Sequence, residues 1–231
     1  MECKKYIKNL VIVGNGGSSL KSKNGTFIDS CDIVVRVKSF ITNGFEDFVG
    51  SKTDIWCTKW FSYLESSFKN EIDFNKTKLW LPISDPNIEL KDDNLNVINK
   101  YIFKNNFRSR IQELSTHNTL INEIGRNNVF FLSEPEFKEI IETLKINSNK
   151  IYTKSGINVF HPTTYLLSIF LSIKRFPEYN IHITGFDSFK NGYYWNLNEN
   201  KKYTKSWPHH YDREELYIKK LIYLNLINVL N

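Results

Sequence analysis

Residues 11–19 read VIVGNGGSS, and the reading of this stretch sets the fold class. Val11, Ile12 and Val13 are β-branched and apolar, as a buried strand requires. Gly14, Gly16 and Gly17 let the backbone turn tightly and approach a neighbour or ligand closely. Ser18 and Ser19 are good N-cap residues for a helix beginning near Leu20. The N–H groups of such a helix start attract an anion, most often phosphate. The run is not a Walker loop, because no Gly-Lys-Ser/Thr follows. It is not the full dinucleotide fingerprint either, because Ser19 stands where the third glycine belongs. A phosphate site and an ordinary strand-to-helix turn both remain open on this stretch alone.

Outward from the turn, short apolar runs recur at Leu10–Val13, Ile33–Val37, Asp54–Cys57, Lys78–Leu81, Val129–Leu132 and Ile181–Thr184. Short continuous apolar runs are what strands buried on both faces look like. Helical patterns lie between some of them. Glu134–Ile146 follows Ser133 as N-cap, with Pro135 early and Glu136 completing a capping box. Asn158–Lys174 carries an apolar stripe, and Tyr211–Leu230 reads as an amphipathic helix with Leu216, Leu221, Leu224 and Ile227 facing the core. Strands alternating with helices predict an α/β fold, a mostly parallel sheet flanked by helices in one domain over residues 1–231. Residues 84–110 are polar and loose. Residues 187–209 are polar and aromatic, and read either as a lid or as an excursion whose aromatics return to the core.

Composition narrows the function classes. The 231 residues include 17 Phe, 12 Tyr and 5 Trp, with 41% hydrophobic residues, so a large core is available and a disordered chain is excluded. The net charge of +6 favours anionic ligands: nucleotide phosphates, an anionic glycan or a membrane surface. The lysines are scattered, which argues against nucleic acid. Cys3, Cys31 and Cys57 are far apart, lack C-x-x-C spacing and cannot all pair, which fits a reducing compartment. There is no apolar run of about 18 residues and no signal-peptide core, so the expected location is cytoplasmic, at the inner membrane surface if the acceptor is lipid-linked.

The turn belongs to a longer pattern. Residues 10–54 contain VIVGNGG, GTFIDSCDIVVR and GFEDFVGSKT. Together they resemble the large sialylmotif of the sialyltransferases of glycosyltransferase family 29, roughly VVGNSG, G-x-x-I-D-x-x-D-x-V-x-R and GFE-x-DVG-x-KT. Residues 154–187, KSGINVFHPTTYLLSIFLSIKRFPEYNIHITGFD, are similar to the small sialylmotif, and HHYDREE at 209–215 has the H-x4-E spacing of the very small motif. The compact bacterial sialyltransferases of family 42 share this order. The resemblance leaves residues 60–150 largely unassigned.

The resemblance implies a Rossmann-like sheet of the GT-A variant found in sialyltransferases, and a donor that is a cytidine monophosphate sugar. It places Gly14, Asn15, Gly16, Gly17 and Ser18 on the nucleotide, with Ser155, Gly156 and Gly185 from the second motif. Asn15 brings both donor and acceptor groups. Asp29 and Asp32 read as structural residues of the loop entering the second strand, and Arg36 either pairs with a core carboxylate or faces the ligand. By the same resemblance the histidine of H-x4-E is the general base that deprotonates the acceptor hydroxyl, which imidazole suits near neutral pH. His210 with Glu215 is the preferred register, leaving His209 for the phosphate; His209 with Glu214 has the same spacing. His117, His161 and His182 read as structural.

Two departures stand out. Position 38 is Lys where both families usually have Asn, and lysine reaches phosphate only as a point charge. The cysteines that bridge the family 29 motifs are missing, in accord with a reducing compartment. The sequence holds no D-x-D pair, so metal-independent transfer is expected, with no cofactor beyond the CMP-sugar donor. The expected reaction is inverting transfer of sialic acid, or a related nonulosonic acid, to a hydroxyl of an oligosaccharide or glycolipid acceptor. The alternatives are a CMP-Kdo transferase, an inactive nucleotide- or glycan-binding module of this fold and, more weakly, a nicotinamide-dependent enzyme. The last lacks an acidic residue at the end of the second strand, where VVRVK ends in Lys38.

Overall fold

A computed structural model describes residues 7–58, 72–73, 75–81, 125–132, 134–143, 152–153, 156–157, 162–187, 192–195 and 211–230. The sheet strands are β1 (Asn9–Val13), β2 (Ile33–Val37), β3 (Ile55–Cys57), β4 (Lys78–Leu81), β5 (Val129–Phe131), β8 (Asn180–Thr184) and β9 (Asn228–Val229). A separate two-stranded ladder joins β6 (Tyr152–Thr153) to β7 (Gly156–Ile157) antiparallel. The sheet order is β5-β4-β3-β2-β1-β8-β9, and its pairings are parallel throughout. Connections run outward from β1 to β5 on one side, and the chain then returns to place β8 on the other. That reversal makes the carboxyl end of β1 a switch point, where open parallel sheets bind ligands.

β1 is buried on both faces, and its alternation sorts the core into two layers. Leu10 and Ile12 join Val35, Val37, Ile55 and the apolar side of α4 (Thr164–Arg175). Val11 and Val13 face the other way, with Ile28 of α1 (Gly25–Ser30), Val49 of α2 (Glu46–Val49) and Tyr194. The remaining helices are α3 (Glu134–Thr143) and α5 (Tyr211–Tyr223). α4 is buried from Thr164 to Ser172, so it sits in the core layer and not on a surface. Pro162 and Thr163 precede it, and Thr163 Oγ1 accepts from Leu166 N at 3.2 Å as a true N-cap.

The acidic and basic residues of the first long motif are mostly framework. Asp29 accepts from Ser51 N, Ser51 Oγ and Lys52 N. Asp32 accepts from Asn9 N, and Asp54 from Val34 N, each at 2.7 Å, so both carboxylates finish strand ends. Arg36 anchors the segment that ends α2 and follows it. It is fully buried, donating to the carbonyls of Val49, Gly50 and Lys52 and to Thr53 Oγ1, with Phe40 against the guanidinium at 5.2 Å. Gly25 is needed because a Cβ there would lie 1.8 Å from Glu46 O, so α1 and α2 touch through their backbones.

The structure corrects several boundaries. Ser18 and Ser19 start no long helix: residues Gly17–Lys21 form a 3-10 turn with Gly16 at its N-cap and no side-chain cap. Gly156 does not lead directly into a helix but opens β7, and α4 begins at Thr164. The last helix stops at Tyr223 and not Leu230, because Asn225 takes φ 55 and the chain turns back into β9. Leu221 is core, but Leu216 is 66% exposed and Leu224 49%; Ile227 is fully buried from outside the helix. Cys31 and Cys57 are buried, and burial pushes the Cys31 thiol up to about 11. No helix among the described residues is long and apolar enough to cross a membrane.

The Arg36 network generates the first prediction. Arg36→Met leaves two buried carbonyls and a partly buried one without their charged donor and is expected to cost about 3 kcal/mol or more. Urea denaturation checks it; a loss below about 1 kcal/mol would show that the loop holds itself.

Candidate functional site

The carboxyl ends of the parallel strands bring the motif residues to one edge. At the centre, the turns after β1 and β8 touch. Gly14 N donates to Thr184 O at 2.7 Å, and Gly16 N to Gly185 O at 3.0 Å. A Cβ on Gly14 would lie 2.5 Å from Gly185 O, and Gly185 has φ +71. These two glycines serve a backbone-to-backbone contact between strands.

The rest of the turn is bonded within the protein as well. Gly17 N donates to Gly192 O, Ser19 N to Gly16 O and Ser18 N to Asp187 Oδ2 at 3.2 Å. Asp187 lies so close that a Cβ on Gly16 would meet its carboxylate at 2.3 Å. The N–H groups of Gly14, Gly16, Gly17, Ser18 and Ser19 thus go to carbonyls and to a protein carboxylate. Tyr193 bridges Gly16, and Tyr194 N donates to Asn15 O. Tyr194 is buried, its hydroxyl bonded to Ile41 O and Ile41 N, and Tyr193 stacks on Trp195 at 4.9 Å. Within residues 192–195, therefore, the aromatics return to the core; the rest of the expected lid segment after Asp187 lies outside the described residues.

Asn15 is buried and held hard. Its Nδ2 donates to Val37 O at 2.8 Å and Ser39 O at 2.6 Å. Both amide hydrogens are spent on the end of β2, which fixes the orientation of the amide and leaves Oδ1 as the acceptor. Beside it lies the Tyr165 phenol, one residue into α4. Burial drives that phenol well above its usual range, and hydrogen bonding to Asn15 opposes the shift. Phe186 packs edge-on against the Tyr165 ring at 5.4 Å.

Lys38 follows β2 with φ 57, a conformation uncommon for a long side chain. It is held there from both sides: its N donates to Cys57 O at 2.8 Å, and its O accepts from Trp56 Nε1 at 2.6 Å. The ammonium sits over the Tyr165 ring, 5.4 Å from the centroid. Burial lowers its pKa, and the charge of Glu214 works against that. Glu214, in the first turn of α5, is only 5% exposed; it accepts from Thr163 N at 2.9 Å and Thr163 Oγ1 at 2.5 Å. Glu215 is partly exposed and pairs with Lys219 at 3.0 Å. His209, His210 and Ser155 lie outside the described residues, as do His117 and His161. His182 is half-buried between Asn9, Asn180 and the Phe27 ring, a structural position. Among the described residues no group of three His, Cys, Asp or Glu could hold a metal ion.

The family model of glycosyltransferase family 29 (sialyltransferase) matches residues 2–225. The chain belongs to glycosyltransferase family 29. It is similar to the human CMP-N-acetylneuraminate-beta-1,4-galactoside alpha-2,3-sialyltransferase, 25% identical over 231 residues that cover 97% of this chain and 57% of the human protein. The rat protein of the same name is 34% identical over 76 residues, 33% of this chain and 19% of its own length. The chain thus spans little more than half the length of the human relative. Two crystal structures of a mammalian sialyltransferase share the fold: one, in complex with Gal-beta-1-3GalNAc-ortho-nitrophenol, at TM-score 0.57, and the other at 0.59. Each is 18% identical and matches 97% of this chain and 69% of the mammalian one.

In this family 29 chain, Tyr165, Thr163, Glu214 and Asp187 join the site without having been singled out as donor residues by sequence. PTTY before an apolar stripe was a readable N-cap signal; nothing local in the sequence marks Asp187 or the Tyr165 hydroxyl.

Two predictions follow from the geometry. Glu214→Gln cannot accept from both Thr163 groups and is expected to cost about 1–3 kcal/mol, whereas Glu215→Gln stays within about 0.5 kcal/mol. Denaturant midpoints of the two variants check this. For Lys38, the unfolded chain keeps its proton up to the ordinary value of 10.5, while the folded chain releases it earlier. Stability therefore climbs with pH between the lowered value and 10.5, and Lys38→Met removes that climb in unfolding curves taken across the window.

Proposed function

We propose that the protein is a CMP-sugar-dependent sialyltransferase: an inverting enzyme that moves sialic acid from CMP-sialic acid to a hydroxyl of an acceptor glycan. The observation that supports it most is the Glu214–Thr163 contact. It ties the start of α5, which carries the YDREE part of HHYDREE, to the start of α4, at the same sheet edge where Asn15 and Lys38 sit. The donor motif and the proposed base motif thereby converge.

In this reading Asn15 Oδ1 takes a hydrogen bond from the nucleotide, and Lys38 supplies positive charge to the leaving phosphate. A histidine accepts the proton of the acceptor hydroxyl as that oxygen attacks the anomeric carbon, and CMP departs. The C–O bond to CMP breaks on one face as the new glycosidic bond forms on the other. No metal is assigned, because a monophosphate leaving group needs less charge neutralisation than a diphosphate. The burial of Glu214 and the outward pairing of Glu215 support the His209–Glu214 register over the His210–Glu215 one preferred on sequence.

Because the human relative is named for a beta-1,4-galactoside, a galactoside is the first acceptor to assay with CMP-sialic acid. His209→Ala is expected to lose about 10²–10⁴-fold of the transfer rate, and His210→Ala much less. The reverse pattern would assign the base to His210 with Glu215. Transfer by neither the parent chain nor the variants, with CMP bound normally, would reduce the protein to a nucleotide-binding module. Transfer that persists unchanged in EDTA is the expected metal test.

A further inference from the structure

We propose that His182 is an acid-sensitive latch for β9: the neutral imidazole completes a side-chain network that holds this last strand to β8, and the imidazolium opens it. The inference concerns the sheet edge beyond β8 and stands whether or not the donor is a CMP-sugar.

The network crosses three neighbouring strands. Asn228 of β9 donates from Nδ2 to Asn180 Oδ1 at 2.7 Å and to Ile181 O at 3.4 Å. The main-chain carbonyl fixes which end of the Asn228 amide donates, and the bond to Asn180 then fixes the Asn180 amide in turn. Asn180 is left with Nδ2 toward β1, where it donates to Asn9 Oδ1 at 3.3 Å and stands 3.1 Å from His182 Nε2. An amide nitrogen only donates, so Nε2 is the acceptor and the ring proton belongs on Nδ1. A proton gained at Nε2 sets two donors against each other. Asn180 cannot turn its oxygen to the ring without giving up Asn228, the bond that reaches β9. The imidazolium can donate to Asn9 Oδ1, 3.3 Å away, but it then competes with Asn180 for that acceptor. Either way the loss falls on Asn180.

The surroundings favour the neutral ring. His182 is half-buried with the Phe27 ring edge-on at 5.1 Å, and burial lowers its pKa from 6.5. The charged groups nearest it on the neighbouring elements have partners of their own: Asp32 accepts from Asn9 N, Asp29 of α1 from Ser51 and Lys52, and Lys8 lies over the Tyr179 ring. The contribution of the neutral ring is therefore complete above pH 6.5 and is lost as the pH falls through the lowered value. β9 is poorly placed to absorb that loss. It has two residues, both exposed, at the edge of the sheet. Short edge elements of this kind open before the core. Because β9 follows α5, the helix whose first turn brings Glu214 to Thr163 has its other end tied down through an acid-sensitive strand.

Amide hydrogen exchange, corrected for the intrinsic effect of pH, reads the latch. The reporter is the Leu230 amide, which donates to Ile183 O, and the internal reference is the Thr58 amide, bonded to Trp80 O in the middle of the sheet. Between about pH 7.5 and pH 5, Leu230 protection in the parent chain should fall about threefold to tenfold relative to Thr58, the range of one lost hydrogen bond. His182→Gln keeps a neutral acceptor and should hold the ratio level. Asn180→Asp offers the imidazolium a carboxylate and should reverse the trend, with protection rising in acid. Nitrogen NMR of the parent ring at neutral pH should show the proton on Nδ1. A Leu230 amide that tracks Thr58 at every pH, or an acid loss that survives in either variant, overturns the latch. A ring that carries its proton on Nε2 at neutral pH overturns it without any variant.

Discussion

The contact on which the site depends is made without side chains. Gly14 and Gly185, at the ends of two adjacent parallel strands, meet through their backbones at a distance that no Cβ would permit. The strands can then stay hydrogen-bonded to their last residue, Val13 opposite Thr184, and the two turns close over the switch point together. Everything placed by those turns follows: Asn15 reaches across to the end of β2, Asp187 settles at the 3-10 turn, and Tyr194 hangs from the Asn15 carbonyl. Glycine in this motif is as much a device for joining strands as for admitting a ligand.

Around that joint, polar groups link distant parts of the chain. Asn15 ties β1 to β2, Thr163 and Glu214 tie α4 to α5, and Lys38 lies over the Tyr165 ring. Thr163 Oγ1 both donates to Glu214 and accepts from Leu166 N, so one hydroxyl caps a helix and docks another. Such chained hydrogen bonds reinforce one another in a dry environment. They also explain why motifs far apart in sequence act on one locality.

Most of the sheet was legible because its strands are short runs of Val, Ile, Leu and Trp buried on both faces, and all six runs appear as strands. The two-residue strands β6, β7 and β9 carry no period to read. The final helix was overextended because the apolar spacing continues past Tyr223, while Asn225 breaks the helix through its backbone conformation, which spacing does not encode. At the site, the glycines and Asn15 were visible as a motif, but what they bond to was not. The sequence does not show that Thr184, Gly185 and Asp187 arrive from far along the chain to bond the turn's N–H groups. The double histidine leaves its register ambiguous in the sequence, because the burial of Glu214 against the partial exposure of Glu215 is a tertiary fact.

Arg36 grips the segment after α2 mainly by its main chain. It donates to the carbonyl oxygens of Val49, Gly50 and Lys52 and to the Thr53 hydroxyl. A loop held in this way keeps its path while its outward side chains are free to drift. Between Val49 and Lys52, evolution or an engineer can rewrite surface chemistry at Ser51 by giving up its hydroxyl bond to Asp29, provided its N–H still reaches Asp29, Gly50 retains its positive φ and the carbonyls stay where the guanidinium expects them. The segment is then a ready point for grafting new surface recognition without disturbing the strand beside it.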